Sequence, residues 1–230
     1  MQIPVPHVNK SINRKESSDM NTSRKMTAMT TTALMTAVLC ILGPLAIPIG
    51  PIPISLTNLT LYFTLYAIGT KRGLAAYLIY LLLGLIGLPV FSGFSGGPQK
   101  LFGPTGGYLI GFIGMIVVAG IVIDHHYDKK IRCIAGMFIA TLIPYMIGTA
   151  WLAYVSHITF TAAFAAGVAP FAAEDIVKMI LAALIGPVLR TRLIRAGVFT
   201  YAPADDPQGG NRETAGTRMS GEIRKTGQSK

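Results

Sequence analysis

Residues 26–70 read MTAMTTTALMTAVLCILGPLAIPIGPIPISLTNLTLYFTLYAIGT and contain no Asp, Glu, Lys or Arg. The same absence of charge holds for residues 73–99, 101–123 and 133–173. A helix that crosses a bilayer needs about 20 predominantly apolar residues. Each of these segments is long enough for one such helix, and the longer ones for two. The sequence therefore predicts a polytopic membrane protein.

The overall composition indicates the same class. Of the 230 residues, 51% are apolar and only 13% are charged, whereas a soluble domain has about 25% charged residues. This composition argues against a soluble enzyme. The net charge of +10 comes mainly from the two tails and the short loops, where basic residues orient a chain toward the cytoplasmic leaflet. We therefore expect no nucleic-acid partner.

The fold class predicted is an all-α integral membrane protein with six transmembrane helices and both termini in the cytoplasm. Lys and Arg alternate between frequent and nearly absent along successive connections, as the positive-inside rule requires for six spans. Pro48, Pro51 and Pro53 separate the first two helices because proline removes a backbone donor. The predicted helices cover residues 28–47, 54–69, 73–90, 105–123, 131–155 and 171–194.

The chain is predicted to divide into three regions. Residues 1–25 are polar and form a cytoplasmic tail, and residues 26–198 form the membrane domain. Residues 199–230 lack apolar periodicity and are rich in Gly, Pro and charge, a composition typical of a disordered tail. The expected location is the plasma or inner membrane, as a multi-pass protein in contact with membrane lipids.

The third connection is a candidate ligand-binding segment. Residues 91–108 read FSGFSGGPQKLFGPTGGY, a Gly- and Pro-rich loop with interleaved aromatic residues. Irregular backbone near lipid is tolerated where it is buried in protein or lines a cavity, and glycine allows backbone to approach a ligand closely. A plain solvent-exposed turn is the alternative, but a loop this long is typical of a lid.

The start of the last helix is a second candidate. Ionisable residues within a span are costly and indicate function, and Asp175 and Lys178 lie on one helix face because they are three residues apart. They are either a self-neutralising pair or an acceptor and a donor for a polar ligand. Glu174 is expected to point elsewhere and reach water. Ser55, Thr57 and Asn58 at the top of the second helix are either capping groups or ligand contacts.

Other patterns indicate no chemistry. The stretch DHHYD at 124–128 resembles metal-ligand spacing, but it is followed by Lys129 and Lys130 and is expected to be a solvated loop. We find no Ser/His/Asp, Cys/His or HExxH constellation and no nucleotide-binding motif, so no enzyme activity, metal or cofactor is predicted. Gly103, Gly107 and Gly111 follow the small-xxx-small rule of helix packing.

Three motifs in this order resemble one known family. IPIGPIPISLTNLTLYF, GLPVFSGFSGGPQKLFGPTGGYLIGF and PFAAEDIVKMILA are similar to sequences of the BioY family, the biotin-specific substrate-binding (S) components of energy-coupling factor (ECF) transporters. The resemblance covers about residues 26–195. Its most specific part is GPTGGYLIGF after the Gly-rich loop, combined with D-x-x-K in the last helix.

The resemblance implies a protein that captures biotin from outside with high affinity for ATP-driven uptake. Its implied partners are a transmembrane coupling subunit, which Ala33 and Ala37 of the first helix would contact, and two cytoplasmic ATPases. Many members have Gln where this chain has Thr57 and Asn where it has Ser95. The implied substrate-binding residues are Asp175, Lys178, Thr105, Gly106, Tyr108, Ser95, Gly96 and Gly97. Phe91, as an aromatic side chain of the loop, and Thr57, as a hydroxyl group at the top of the second helix, complete the predicted binding set.

The chemistry of biotin suits these residue types. Its cyclic urea has two N–H donors and a carbonyl acceptor, its fused rings are apolar, and its tail is a carboxylate. Asp175 is expected to accept a urea N–H, and Lys178 to donate either to the carbonyl or to the carboxylate. Phe91, Phe94 and Tyr108 are expected to cover the rings. The alternatives are an S component for another vitamin and a membrane scaffold protein.

Overall fold

A computed structural model describes residues 10–47 and 53–196, and the chain in these ranges is almost entirely helical. A two-stranded antiparallel ladder pairs Ala46 with Ser55 and Ile47 with Ile54. The predicted tail at 199–230 lies outside the described residues. The elements in chain order are α1 (Lys10–Leu42), β1 (Ala46–Ile47), β2 (Ile54–Ser55), α2 (Thr57–Leu85), α3 (Pro98–Phe102), α4 (Gly106–His126), α5 (Lys130–Ser156), α6 (Phe160–Gly167) and α7 (Ala169–Arg195).

Helix α1 begins earlier and ends earlier than predicted. It starts at Lys10 rather than near residue 28, because residues 10–24 contain no Gly or Pro to interrupt a helix. It ends at Leu42 rather than at Ile47, because Gly43 and Pro44 follow and proline cannot continue the backbone hydrogen bonds. The apolar part of α1 is Lys25–Leu42.

Helix α2 contains the boundary between the predicted second and third helices. Its backbone is non-helical at Gly69, with φ 72° and ψ 177°. Residues that carry a Cβ rarely adopt this backbone conformation. The break yields two helical segments, 57–68 and 70–85. The amide of Thr70 donates to Asp124 Oδ2 at 3.0 Å, so the backbone group released by the break has a partner.

Four helices of the described chain are long and apolar enough to cross a membrane: α2, α4, α5 and the apolar part of α1. Helix α7 is long enough, but its charged residues exclude it from that set. Six spans with both termini cytoplasmic therefore remain a prediction. Two short helices were not predicted: α3 lies in the third connection, and α6 in the fifth.

The interior of the bundle is built mainly on α2. Helix α2 contacts α1, α4 and α7, and α4 packs along α5. The fully buried aromatic residues of α2 are Tyr62, Tyr66, Tyr77 and Tyr80. Large apolar side chains such as Leu82, Phe138 and Leu184 are instead exposed, as expected of helices that face lipid.

Glycines allow α4 and α5 to approach closely. A Cβ on Gly107 would lie 2.3 Å from Trp151 Cβ, and one on Gly111 would lie 2.5 Å from Pro144 Cα. Real Cβ atoms do not approach other atoms this closely, so a larger residue would force the helices apart. The predicted packing role of these two glycines is confirmed.

The predicted solvated loop at 124–128 is wrong in part. Helix α4 continues to His126, and the half-buried Asp124 forms an ion pair with Arg190 Nη1 at 2.9 Å. Asp124 also accepts a 2.6 Å hydrogen bond from Thr70 Oγ1. The negative charge is stabilised by these two donors and by the Thr70 amide, and it links the end of α4 to the break in α2 and to α7.

Candidate functional site

A cavity lies where the start of α2, the third connection, α4, α5 and the start of α7 meet. Its empty volume is about 700 Å³, including the part that opens to solvent. Most of its surface is apolar, with a few polar groups. The lining residues are Pro53, Ser55, Thr57, Asn58, Phe91, Ser92, Lys100, Thr105, Tyr108, Leu109, Phe112, Thr141, Pro144, Tyr145, Gly167, Phe171, Asp175 and Lys178.

Asp175 is the centre of the polar groups in this cavity. Its side chain is buried, with Oδ1 accepting from Asn58 Nδ2 at 3.0 Å and Oδ2 accepting from Tyr145 Oη at 2.5 Å. Helices α2, α5 and α7 therefore meet at one carboxylate. A carboxylate offers about four acceptor positions, so Asp175 keeps the capacity to accept from a ligand.

Asn58 adds an acceptor beside the carboxylate. Because an ionised carboxylate only accepts, the amide nitrogen of Asn58 is the group that faces Asp175. The amide oxygen is left buried without a hydrogen-bond partner. Leaving a buried acceptor unpaired costs about 1–3 kcal/mol, and Asn58 is among the residues that line the cavity.

Lys178 is surrounded by acceptors from its own helix and from β2. Its Nζ donates to the backbone oxygen of Ser55 at 2.6 Å, forms an ion pair with Glu174, and lies 3.8 Å from Asp175 Oδ1. The expectation that Glu174 points elsewhere and reaches water is therefore wrong. Residues four apart on a helix are neighbours, and this spacing places the Glu174 carboxylate on the ammonium.

The third connection covers the cavity with a small folded loop. Phe91 is fully buried and exchanges two backbone hydrogen bonds with Ser95, at 2.9 and 3.2 Å. The Phe91 ring packs at Gly84, where a Cβ would lie 2.0 Å from it. From the connection and the start of α4, Phe91, Ser92, Lys100, Thr105 and Tyr108 line the cavity.

Four of the predicted binding residues shape the loop instead of lining the cavity. Ser95 Oγ donates to the Ser92 carbonyl at 2.8 Å, and Gly97, at φ +89°, donates its amide to Gly84 at 2.7 Å. A Cβ would collide with Leu88 O at Gly96 and with Leu101 O at Gly106. These positions therefore hold the loop in its conformation through close backbone contacts.

The remaining predicted residues all line the cavity: Thr57, Phe91, Thr105, Tyr108, Asp175 and Lys178. Their role in binding stays a prediction. The expectation that Phe94 covers the ligand rings is wrong, because its side chain is exposed and does not line the cavity. Tyr145 and Lys100 line the cavity as well but were not among the predicted residues. Burial lowers the pKa of Lys100, which lies outside the long helices.

Ala33 and Ala37 lie away from the cavity, on the exposed surface of α1. They line a shallow groove between α1 and the second segment of α2. Most of the side chains that line the groove are apolar, and Arg72 adds a positive charge to it. Because these alanines leave the backbone of α1 accessible, another helix could approach it closely.

The chain is similar to one protein family over most of its length. The family model described as the BioY family matches residues 14–195. "Biotin transporter BioY2" of Lactococcus lactis subsp. cremoris is 35% identical over 165 residues, covering 72% of this chain and 91% of that protein. "Biotin transporter BioY" of Thermotoga maritima is 36% identical over 152 residues, covering 66% of this chain and 89% of that protein.

A solved structure has the same fold. The crystal structure of "the S-component for biotin from an ECF-type ABC transporter" superimposes with a TM-score of 0.68 at 30% sequence identity. The match covers 74% of this chain and 93% of the solved chain.

Proposed function

The chain belongs to the BioY family, and from this membership we propose that it is the biotin-binding S component of an ECF transporter in a cell membrane. It is a membrane transport protein and not an enzyme. The observation that carries the proposal is the Asp175 network, in which a buried carboxylate that lines the cavity accepts hydrogen bonds from Asn58 and Tyr145.

The polar groups at Asp175 suit the cyclic urea of biotin. The two N–H groups of the cyclic urea lie on opposite sides of its carbonyl, and the cavity offers the Asp175 carboxylate as an acceptor for one of them, with Asn58 beside it. Tyr145 holds the carboxylate from the other side, which restricts its rotation. A ligand without an N–H at this position would leave the remaining acceptor capacity of the buried carboxylate unused, and this difference supports selectivity for biotin.

The apolar groups suit the rest of the molecule. Phe91, Tyr108 and Phe171 line the same cavity and provide surface for the fused thioether rings. We further propose that the Gly-rich third connection closes over the ligand, with Ser95, Gly96, Gly97 and Gly106 determining its conformation. Thr57 and Thr105 add hydroxyl groups at the cavity.

The proposal extends to the rest of the transporter. Six spans with both termini in the cytoplasm would place the cavity on the outer side. The exposed groove at Ala33 and Ala37 would receive a helix of the transmembrane coupling subunit, and two cytoplasmic ATPases would supply the energy. The chain carries no nucleotide-binding motif of its own, consistent with this division of labour.

Ligand binding to the purified protein in detergent tests the function. We expect tight binding of radiolabelled biotin and no comparable binding of thiamine or riboflavin. Asp175→Asn keeps the shape of the side chain but removes the charge that holds Asn58 and Tyr145, and it should weaken biotin binding by at least tenfold, as expected for a charged hydrogen bond. Binding of another vitamin in preference to biotin would overturn the proposal.

A further inference from the structure

Two ammonium groups line the cavity, and they differ in their partners. Lys178 is matched by three acceptors: the Ser55 carbonyl, Glu174 and, at 3.8 Å, Asp175. Within the described residues, the side chain of Lys100 has no ion pair and no side-chain hydrogen bond. Since an ammonium has three N–H donors, Lys178 is nearly saturated and Lys100 is available.

The charges of the cavity are therefore unevenly distributed. Glu174, Asp175 and Lys178 carry one net negative charge at the start of α7. Lys100 carries a positive charge on α3, a separate element that contacts α4. A ligand carboxylate placed at Lys178 would have to compete with Glu174 for the ammonium and lie beside two negative charges. A ligand carboxylate at Lys100 would neither compete with a protein carboxylate for the ammonium nor lie beside Glu174 and Asp175.

The environment of Lys100 favours an anionic ligand. The side chain is partly buried and lines the cavity, so its charge has lost part of its hydration without gaining a protein counter-ion. Burial accordingly lowers the pKa of this amine. A carboxylate would restore the missing partner, because an opposite charge at close range stabilises the charged form of an amine.

We propose that Lys100 binds the carboxylate of the ligand and thereby orients it, while Lys178 is a positioning residue that holds Glu174, Asp175 and β2 in place. This inference rests on the proposed function and assigns the two ends of the ligand. The urea meets Asp175 and Asn58, and the carboxylate extends to the third connection. Lys100 is then the residue that distinguishes a free acid from its neutral amide.

The test compares biotin with biotin amide, in which a neutral carboxamide of similar size replaces the carboxylate. Affinities are measured by competition against radiolabelled biotin for the wild-type protein, Lys100→Met and Lys100→Arg. Lys71→Met is the matched control, because Lys71 is exposed and follows the break in α2. Methionine keeps an unbranched side chain and removes the charge.

We expect the wild-type protein and Lys71→Met to bind biotin about tenfold or more tightly than the amide, the range of one charged hydrogen bond. Lys100→Met should lose this preference through weaker binding of biotin alone, and Lys100→Arg should retain it. Unchanged amide affinity shows that the variant is folded. Lys178→Met should weaken both ligands similarly, because it disturbs the common urea site.

A full preference for biotin in Lys100→Met would overturn the inference, as would loss of the preference in Lys178→Met alone. Equal wild-type affinity for acid and amide would overturn it too, while leaving biotin binding itself intact. Failure of the wild-type protein to bind either compound would instead refute the proposed function, so the two failures are distinguishable.

Discussion

Asn58 donates a 3.0 Å hydrogen bond to Asp175, a residue 117 positions further along the chain. The contact joins the start of α2 to α7 inside the cavity and leaves the Asn58 amide oxygen buried without a partner. Both residues line the same cavity, and this arrangement underlies the predictions for the binding site.

Replacing Asn58 by Ala should weaken biotin binding strongly. The change removes one proposed acceptor for the urea and one donor to Asp175, so we expect a loss of about 10- to 100-fold in affinity. Calorimetric titration measures this loss. Thr64→Val is the control, because Thr64 is buried on the same helix and, among the described residues, its hydroxyl donates only to the Thr60 carbonyl. Equal affinity of Asn58→Ala and the control would contradict the assignment.

Tyr145→Phe tests the second donor to Asp175. The ring remains, and only the hydroxyl that donates to Oδ2 at 2.5 Å is lost. Since the carboxylate keeps Asn58 as a donor, we expect an affinity loss of about tenfold. Tyr154→Phe makes the same chemical change at an exposed position on α5 and should bind as the wild type does. A wild-type affinity for Tyr145→Phe would exclude its role.

Gly111→Ala should lower thermal stability through overpacking. Its Cβ would lie 2.5 Å from Pro144 Cα, a backbone atom that cannot rotate away, whereas a Cβ on Gly114 would lie 2.9 Å from Ile143 Cγ2. We expect about 1–3 kcal/mol of destabilisation for Gly111→Ala. Gly114→Ala should be milder, because the side chain of Ile143 can move and Ala favours helix. Equal melting temperatures of the two variants would refute this packing.

Arg190→Met should destabilise the protein without changing the binding site. It leaves Asp124 without its 2.9 Å ion pair, and removing one partner of a buried pair costs about 3–5 kcal/mol. The two hydrogen bonds from Thr70 remain, so we expect the low end of that range. Thermal unfolding measures the loss against Arg195→Met, an exposed control. Retained stability would show that the ion pair is dispensable.

The sequence was sufficient for the parts of the structure that follow from local chemistry. The charge-free segments predict most of the length of α2, α4 and α5 and the apolar part of α1. The basic residues at Lys71 lie next to the break at Gly69, which separates the predicted second and third helices. The pairing of Asp175 with Lys178 followed from helix geometry alone. The ion pair of Glu174 with Lys178 could have been predicted in the same way, since residues four apart on a helix are neighbours.

Contacts between distant segments could not be predicted in this way. Nothing local to Tyr145 distinguishes it from other tyrosines in apolar helices, and its role depends on how closely α5 approaches α7. The difference between the two lysines of the cavity also depends on tertiary structure. The three acceptors around Lys178 come from β2 and α7, and no local pattern shows that Lys100 has no such partners among the described residues. The glycines of the third connection suggested ligand contact, whereas Gly96 and Gly106 are required by close backbone packing.

The most direct test of the account is an experimental structure of the protein with biotin bound. We predict density in the cavity, with the urea ring at hydrogen-bonding distance from both Asp175 and the Asn58 amide oxygen. Biotin bound elsewhere, for example in the groove at Ala33 and Ala37, or a urea ring that contacts neither residue, would contradict the account.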